Sequence, residues 1–331
     1  MSRVGIVGLG LIGGSFAKAY HAAGWEVLAK NRSKSVLDYA CLCGDVDGEL
    51  TEENVSSCDL VLVTIYPEAA IQSIRELAPY FGEKPIVIDC CGTKRVVCEA
   101  CFPIAEEYGF IYLGGHPMAG TQYSGYKYAR ANLYKNAPMV IVPPNFDDIF
   151  LLEKVKHLLE PAGFSRVSVT TADRHDEMIA FTSQLAHIVS NAYVKSPTAR
   201  LHHGFSAGSY KDLTRVAWLN APMWSELFLE NRDCLIREVD TIIANLTAYR
   251  DAMENEDGET LTACSRRASG SKKRLTEYDN NFRQSIQRIC GSHRKRSSCF
   301  FRKDHERGVP QGTQASHRKR DQCREALSCC R

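Results

Sequence analysis

Residues 4–13, VGIVGLGLIG, decide the fold of this chain. The first four are a short apolar run typical of a buried strand, and a helical pattern containing Phe16 and Tyr20 follows the glycines. In this setting the first glycine permits a tight turn, the second lets a pyrophosphate approach the backbone, and the third allows close packing of helix on strand. The stretch therefore predicts a dinucleotide site whose contacts come from Gly8, Gly10, Leu11, Ile12 and Gly13.

Short apolar runs alternate with helical patterns over the first 170 residues. Such alternation is typical of a mostly parallel sheet with helices on both faces. The fold class predicted for residues 1–170 is therefore a Rossmann-type, doubly wound α/β domain. The predicted strands are Val4–Val7, Val27–Ala29, Leu60–Ile65, Ile86–Asp89, Phe110–Leu113, Met139–Val142 and Val167–Val169.

From about Thr171 no strand pattern remains, and helices are predicted at Arg174–Ser196, Tyr210–Val216 and Trp224–Met253. We expect an all-α domain over residues 171–278. Because a long helix in a small helical domain needs a partner surface, we also expect a homodimer formed through this region.

The net charge of the 331 residues is +2, but it is unevenly distributed. Residues 264–331 hold 18 of the 41 Lys and Arg and 6 of the 39 Asp and Glu, so this segment carries +12 and the rest −10. Only 8 of its 68 residues are Leu, Ile, Val or Phe, too few for a core. We expect residues 279–331 to form a disordered, basic, Cys-containing tail.

The first residues and the lengths of the apolar runs indicate where the protein is located, and the location in turn bears on its cysteines. No apolar run approaches the ~18 residues of a membrane-spanning helix, and the first residues lack the pattern of a secretory signal, so we expect a cytoplasmic protein. In that reducing compartment, Cys58, Cys90, Cys91 and Cys234 are expected to be buried small apolar residues.

The ribose-binding position should follow the second strand, where the chain reads Ala29-Lys30-Asn31-Arg32-Ser33 without an acidic residue. Arg32 and Lys30 can face a 2′-phosphate, which favours NADP over NAD, although Arg32 could instead stack on adenine. Asn31, Arg32, Ser33 and Thr64 complete the predicted cofactor contacts.

Several side chains could form a substrate site. His116 follows a predicted strand at the edge where open α/β sheets bind ligands, and it is either catalytic or held by loop backbone. Ser183 and His187 share one helical face, and an Asp212–Arg215 pair precedes Trp224. These residues indicate an NAD(P)-dependent dehydrogenase acting on a carboxylate, although an isolated Asp–Arg pair is usually a surface contact.

Five motifs in order carry a resemblance: GLGLIGGS at 8–15, IDCCGTKR at 88–95, GGHPMAGTQYSG at 114–125, HDEMIAFTSQLAH at 175–187, and KDLTRVAWLNAPMWSELFLEN at 211–231. Over about residues 1–255 the chain resembles the prephenate dehydrogenase family, which includes arogenate and cyclohexadienyl dehydrogenases. The resemblance implies oxidative decarboxylation of prephenate to 4-hydroxyphenylpyruvate in tyrosine biosynthesis, without a metal. It makes His116 the acceptor of the C4 hydroxyl proton and Arg215 the carboxylate-binding cation. The remaining pocket residues would be Asp212, Ser183, His187, Trp224, Thr121 and Gln122.

The chain departs from the family pattern at several positions. Where many members have a serine in a GSVK-like loop, this chain has Gly92-Thr93-Lys94, so a catalytic hydroxyl would come from Thr93 or be absent. Gln184 replaces a histidine and Ala186 a proline. Gln122 replaces a common glutamate, and because arogenate has an ammonium group where prephenate has a keto group, the missing carboxylate mildly favours prephenate over arogenate.

The tail resembles no regulatory domain of the ACT type. Its segments 292–299 and 316–323 nearly repeat each other. Zinc binding by them is disfavoured because their His and Cys spacings match no finger, and RNA binding through their Arg and Lys is disfavoured as well. Two rivals stay open. A dehydrogenase for another hydroxy acid would need a catalytic lysine, for which Lys195 and Lys211 are candidates. A non-catalytic NADP-binding sensor would use the basic tail to contact nucleic acid.

Overall fold

The N-terminal strand and helix occur where the glycine motif predicts them. In the computed structural model, which describes residues 1–121 and 123–277, β1 (Arg3–Val7) is followed by α1 (Leu11–Ala22). Residues 1–242 form one compact unit, and a second begins at Ile243. Every functional residue discussed below belongs to the first unit.

The sheet has eight strands among the described residues, in the order β3-β2-β1-β4-β5-β6-β7-β8. Strands β1 to β6 are parallel, whereas β7 runs antiparallel to β6 and parallel to β8. The first six strands thus have the order of a dinucleotide-binding Rossmann sheet, and β7 and β8 extend one edge. After β1 the strands are β2 (Glu26–Lys30), β3 (Gly48–Glu49), β4 (Leu60–Val63), β5 (Ile86–Asp89), β6 (Ile111–Pro117), β7 (Pro138–Val142) and β8 (Arg166–Val169).

Helices cover both faces of this sheet, and a helical region follows it. After α1 the helices are α2 (Lys34–Leu42), α3 (Pro67–Phe81), α4 (Arg95–Tyr108), α5 (Ile149–Leu159), α6 (Ala172–Ile179), α7 (Ala186–Val194), α8 (Gly208–Thr214), α9 (Ala221–Glu230) and α10 (Arg232–Glu254). Short 3₁₀ turns lie at Val55–Ser57, Tyr126–Tyr128, Glu160–Ala162 and Pro197–Leu201. The predicted Rossmann-type sheet followed by helices is confirmed.

Side chains alternate across the sheet as the pleat requires. In β4, Leu60 and Leu62 join the apolar cluster under α1, α2 and α5, whereas Val61 and Val63 join the cluster under α3 and α4. All four are fully buried. A strand that is apolar on both faces is the signature of a doubly wound sheet, and it explains why these runs are continuous rather than alternating in sequence.

Some predicted boundaries are wrong, and one strand was missed. Strand β6 continues to Pro117 because its second half pairs with β7, so His116 lies within a strand and not after one. The predicted helix Trp224–Met253 is divided at Asn231, whose side chain is drawn into buried hydrogen bonds with other elements. The two-residue β3 was not predicted, because an edge strand of that length has no periodicity to detect.

Two further differences concern helices. The predicted Arg174–Ser196 helix is observed as α6 and α7 joined by a π-helical segment, Ala180–Leu185. Residues 258–277 are helical, so the change of composition at Ala263 does not end a helix. The expected disordered tail at 279–331 lies outside the described residues, and the domain limits predicted at 170 and 278 stay predictions.

The body cysteines are mostly buried as expected. Cys58, Cys91 and Cys234 are buried, and Cys90 is half-buried. Burial raises the pKa of the Cys58 thiol to about 11, which keeps it protonated at neutral pH. These thiols pack as small apolar groups and have little thiolate character.

Candidate active site

The glycine loop between β1 and α1 fits a dinucleotide pyrophosphate. Gly8 has a φ of 95°, which favours glycine, and a Cβ on Gly13 would lie 1.8 Å from the Gly8 carbonyl oxygen. A Cβ on Gly10 would meet nothing within 4 Å, so open space lies beside the backbone there. The first amides of α1, at Leu11 and Ile12, have no intrahelical acceptor and can donate to phosphate oxygens in that space.

Two predicted cofactor residues hold this loop in shape. The Asn31 side chain accepts from the Leu9 amide at 2.9 Å and donates to the Ser33 carbonyl at 3.0 Å. The Thr64 hydroxyl lies 2.7 Å from the Gly8 carbonyl oxygen and 3.0 Å from that of Val7. Both side chains therefore tie the ends of β2 and β4 to the glycine loop.

The end of β2 carries the predicted ribose-binding side chains. Arg32 and Ser33 are exposed there, and Lys30 is half-buried. The Ser33 hydroxyl lies 2.9 Å from that of Ser35. Two cationic side chains at this position suit a 2′-phosphate, and Glu49, on the neighbouring strand β3, pairs with Lys34 at 2.9 Å.

A buried ion pair fixes the loop after β5. Asp89 and Lys94 are both fully buried, and the Lys94 ammonium contacts the Asp89 carboxylate. The same carboxylate accepts from the Tyr112 hydroxyl at 2.6 Å and from the Cys91 amide at 2.9 Å. Burial alone would lower the pKa of Lys94, but Asp89 raises it above its ordinary value. The loop therefore keeps a positive charge close to the following strand, β6.

A chain of three side chains crosses from β6 to α6. His116 Nδ1 lies 2.9 Å from His175 Nε2, and His175 Nδ1 lies 2.7 Å from Asp176 Oδ1. The Asp176 carboxylate also accepts from the backbone amides of Lys94 at 2.8 Å and Arg95 at 2.9 Å. Both His175 and Asp176 are buried, so this network is shielded from water.

The hydrogen-bond order fixes the tautomers. A carboxylate only accepts, so His175 donates to Asp176 from Nδ1 and, when neutral, presents a lone pair at Nε2. His116 must then donate from Nδ1, which leaves its own Nε2 as a hydrogen-bond acceptor. Burial, together with the nearby His175 and Lys94, holds the pKa of His116 well below its usual value. His116 is consequently a neutral imidazole with a free basic nitrogen.

Asp176 is ionised in this network. Burial would raise its pKa, but the hydrogen bonds from His175 and from the Arg95 and Lys94 amides outweigh burial and lower the pKa. Burial lowers the pKa of His175, although the hydrogen bond to Asp176 opposes this effect. The arrangement resembles the hydrogen-bond logic of a catalytic triad, in which a carboxylate orients a base and stabilises its protonated form.

A second group of predicted residues meets about three turns further along the helical stretch from His175. The ring of His187 lies 4.0 Å, centroid to centroid, from that of Trp224, and His187 Nδ1 lies 2.9 Å from the Ser183 carbonyl oxygen. Burial lowers the pKa of His187, and the nearby charge of Arg215 lowers it further. Arg215 itself is exposed.

The other predicted site residues are placed as follows. The Thr93 hydroxyl donates to the carboxylate of Glu230, at the end of α9. Thr121 is exposed, and its hydroxyl lies 3.2 Å from the Tyr123 amide. Asp212 is exposed on α8, and no ion pair with Arg215 is formed within the described residues. Gln122 lies outside the described residues.

Sequence reasoning missed the partners of these groups. Asp89, Lys94, His175, Asp176 and Glu230 were not predicted as site residues. Adjacent His and Asp in the motif beginning at 175 were the available signal, but their contacts join residues 59 and 82 positions apart in sequence. The rival lysines, Lys195 and Lys211, are exposed.

Two properties of the described residues bear on the class of protein. Within residues 1–121 and 123–277, no helix combines the length and apolar character needed to cross a membrane. The same part of the chain has no cluster of three or more His, Cys, Asp or Glu placed to hold a metal ion. A Rossmann sheet, a glycine loop and a neutral, half-buried histidine at one edge together define an NAD(P)-dependent oxidoreductase.

Comparison with known proteins identifies the family within this class of oxidoreductases. Residues 16–168 match the nucleotide-binding domain of prephenate dehydrogenase, and residues 171–266 match its dimerization domain. The chain belongs to the prephenate dehydrogenase family.

Named relatives agree with this assignment. A cyclohexadienyl dehydrogenase of Zymomonas mobilis is 28% identical over 270 residues, covering 78% of this chain and 91% of the relative. A prephenate dehydrogenase of Bacillus subtilis is 29% identical over 271 residues, covering 77% and 71%. The structure of prephenate dehydrogenase from A. aeolicus in complex with hydroxyphenyl propionate and NAD+ has a TM-score of 0.69 and 26% identity, covering 83% of this chain and 98% of that one.

Proposed function

We propose that the chain catalyses the oxidative decarboxylation of prephenate to 4-hydroxyphenylpyruvate, with His116 as the base. The observation that carries the proposal is the hydrogen-bonded chain from Asp176 through His175, which leaves Nε2 of the half-buried His116 as an acceptor. A neutral imidazole is the group that can take a proton from a ring hydroxyl at neutral pH.

His116 would act on the substrate C4 hydroxyl. Bound NAD(P)+ supplies the hydride acceptor for the C4 hydrogen. As the C4–O bond gains double-bond character, His116 Nε2 takes the hydroxyl proton, and the imidazolium is stabilised through His175 by the Asp176 carboxylate. The ring carboxylate leaves as CO₂, its bonding electrons make the ring aromatic, and His116 returns the proton to the phenolate oxygen.

The remaining pocket residues are proposed to bind the substrate. Arg215 would hold a substrate carboxylate with its planar guanidinium, and Asp212 would orient that cation or pair across the dimer. His187 and Trp224, whose rings are in contact at a tilt of 33°, would form the adjoining wall. The other proposed contacts are Ser183, Thr121 and Gln122, with Thr93 supplying a hydroxyl near the reacting atoms.

Prephenate has a keto group on its side chain where arogenate has an ammonium group. Prephenate is proposed as the substrate because the neutral Gln122 offers no carboxylate to attract that ammonium group. The test is a comparison of kcat/KM for both compounds, followed by Gln122→Glu. We expect the wild type to favour prephenate and the variant to shift toward arogenate. A higher kcat/KM for arogenate in the wild type would reverse the substrate assignment.

NADP is proposed as the preferred cofactor because of Arg32 and Lys30 at the end of β2. Losing one charged contact to a 2′-phosphate costs about 1.5–3 kcal/mol, so Arg32→Ala should raise the KM for NADP+ roughly 10- to 150-fold. The KM for NAD+ should change little, since NAD+ has no 2′-phosphate. Lys127→Ala, at an exposed lysine in the 3₁₀ turn Tyr126–Tyr128, is the control. Equal turnover with both cofactors by the wild type would contradict the preference.

A homodimer is also proposed, and the exposed apolar side chains of the helical region support it. Trp218 is 81% exposed, Leu201 76% and Phe205 92%, and burying such side chains in an interface would be favourable. Sedimentation at micromolar concentration should give a dimer, and Trp218→Glu should weaken it. If sedimentation shows that the wild-type protein is a monomer, the proposed homodimer is contradicted. A cytoplasmic location, which suits the unpaired cysteines, is part of the same proposal.

The experiment that tests the activity is a single assay with prephenate or arogenate and NAD+ or NADP+. Reduced cofactor should appear together with 4-hydroxyphenylpyruvate when prephenate is present. No reduction of either cofactor with either substrate would refute the proposed activity.

A further inference from the structure

Arg95, the first residue of α4, contacts the carboxylate of Asp176. Its backbone amide donates to Asp176 Oδ2 at 2.9 Å, and its side-chain Nε lies 3.3 Å from the same oxygen. The other oxygen, Oδ1, accepts from His175 Nδ1 at 2.7 Å. The Arg95 guanidinium and the His175 imidazole therefore share one carboxylate, and that carboxylate is fully buried.

The rest of the Arg95 side chain is held at the start of α10. Its two Nη atoms donate to the two carboxylate oxygens of Asp233, and Nη2 also donates to the Asn231 side chain at 3.0 Å. The Asp233 side chain is 52% exposed, so water screens its charge more strongly than that of the buried Asp176. Inside the protein, the positive charge of Arg95 therefore acts mainly on Asp176.

We propose that Arg95 is a positioning residue, which keeps His175 neutral and thereby keeps His116 able to accept a proton. A cation that shares the Asp176 carboxylate offsets its negative charge, so less of that charge is available to draw a second proton onto His175. This inference rests on the proposed function, since it concerns the base assigned there.

The proton state of His175 decides which nitrogen of His116 is free. Neutral His175 donates from Nδ1 to Asp176 and accepts at Nε2 from His116 Nδ1, which lies 2.9 Å away. Protonated His175 has a proton on both nitrogens, so His116 Nδ1 would have to accept, and the proton of neutral His116 would move to Nε2. That nitrogen would then be a donor and could not take the proton of the substrate hydroxyl.

Other charged groups act on the same pair of residues. Burial lowers the pKa of His175, the hydrogen bond to Asp176 opposes this effect, and the charge of Lys94 adds to it. Lys94 is itself paired with the buried Asp89, which offsets part of its charge. The titratable and charged groups that face His175 or Asp176 from α6 and from the elements packed against it are His116, Asp89, Lys94, Arg95 and Glu230. Removing the charge of Arg95 should therefore let His175 take a proton at a higher pH.

The experiment measures kcat/KM for prephenate between about pH 5 and 8.5 in the full chain and its variants, since this profile reports groups of the free enzyme. Arg95→Met removes the charge, while its backbone amide still donates to Asp176. Arg95→Lys keeps the charge but cannot form the forked contacts with Asp233. Asp233→Asn breaks the same ion pair from the other side. Arg174→Gln, at an exposed arginine of α6 that pairs with Glu177 at 2.6 Å, is the matched control.

We expect the acid decline of kcat/KM to lie about 0.5–1 pH unit higher in Arg95→Met than in wild type, because loss of one partly screened charge shifts a neighbouring group by about this amount. This decline reports the coupled His116–His175 pair and not either residue alone. Arg95→Lys should keep the decline of the wild type, and Arg174→Gln should match it as well. Asp233→Asn removes a negative charge, so it should not move the decline to higher pH.

Two results would overturn the inference while leaving the proposed function intact. One is an acid decline in Arg95→Met that coincides with that of the wild type. The other, which does not depend on that variant folding, is a decline at higher pH in Asp233→Asn, since a clasp that merely held α10 in place would make the loss of either partner equivalent. Absence of wild-type turnover with either substrate would instead overturn the proposed function and this inference with it.

Discussion

Replacing His175 with asparagine tests the hydrogen-bonded chain behind His116. Asparagine is too short to contact both His116 and Asp176, so the Nδ1 proton of His116 loses its acceptor. That hydrogen bond becomes charge-assisted when His116 is protonated in the transition state, and such bonds contribute about 1.5–3 kcal/mol. We therefore expect kcat to fall roughly 10- to 150-fold, since each 1.36 kcal/mol is tenfold.

The protein should still fold with this change. Asp176 keeps the backbone amides of Lys94 at 2.8 Å and Arg95 at 2.9 Å, so no buried charge is left unpaired. The expected loss of stability is about 1–3 kcal/mol. Thermal unfolding of the variant measures that loss separately from the change in kcat.

The assay is steady-state kinetics at about pH 7.5, where His116 is neutral, with substrate and cofactor varied in turn. The KM for the cofactor should not change, since His175 has no contact with the glycine loop. The matched control is His157→Asn on α5, where an exposed histidine lies 3.0 Å from Glu160. A His175→Asn enzyme with kcat within about threefold of wild type would refute the role assigned to the chain.

Three further substitutions test other parts of the structure. His116→Asn should lower kcat by ~10²–10⁴ while cofactor affinity is retained, and full turnover in this variant would end the assigned mechanism. Gly13→Ala should abolish cofactor binding measured by calorimetry, because its Cβ would lie 1.8 Å from a carbonyl oxygen of the loop. Lys94→Met leaves the buried Asp89 unpaired, so it should cost about 3–5 kcal/mol and lower Tm by about 10 °C. Lys84→Met removes an exposed pair as the control and should lower Tm far less.

The sheet could be predicted because its signals are local. The glycine stretch and the apolar runs each concern neighbours in sequence, and the seven predicted strands all occur. The pairing of β7 could not be predicted, since the direction of a strand depends on its partner. For the same reason the end of β6, and with it the placement of His116 inside a strand, required the structure.

The predicted site contained His116 but not the residues that orient it and fix its tautomer. Its tautomer depends on His175 and Asp176, which are brought to it by the packing of α6 on the loop after β5. The break at Asn231 has a similar origin. Asn231 donates to the Asp176 carbonyl at 2.8 Å and to the Gln184 side chain at 2.7 Å, and these tertiary bonds override helix propensity. Local spacing cannot show such partners.

The π-helical segment Ala180–Leu185 makes this region tolerant of a change in length. A π turn accommodates one residue more than an α-helix would, and each residue of an α-helix turns it by about 100°. Deleting one residue here would let the segment close into a regular α-helix, and the residues after it, His187 included, would keep their orientation. Deleting one residue elsewhere in α6 or α7 would instead rotate everything after it by about 100°. Among descendants of this gene, single-codon deletions should therefore be tolerated more often in this segment than in the flanking helices.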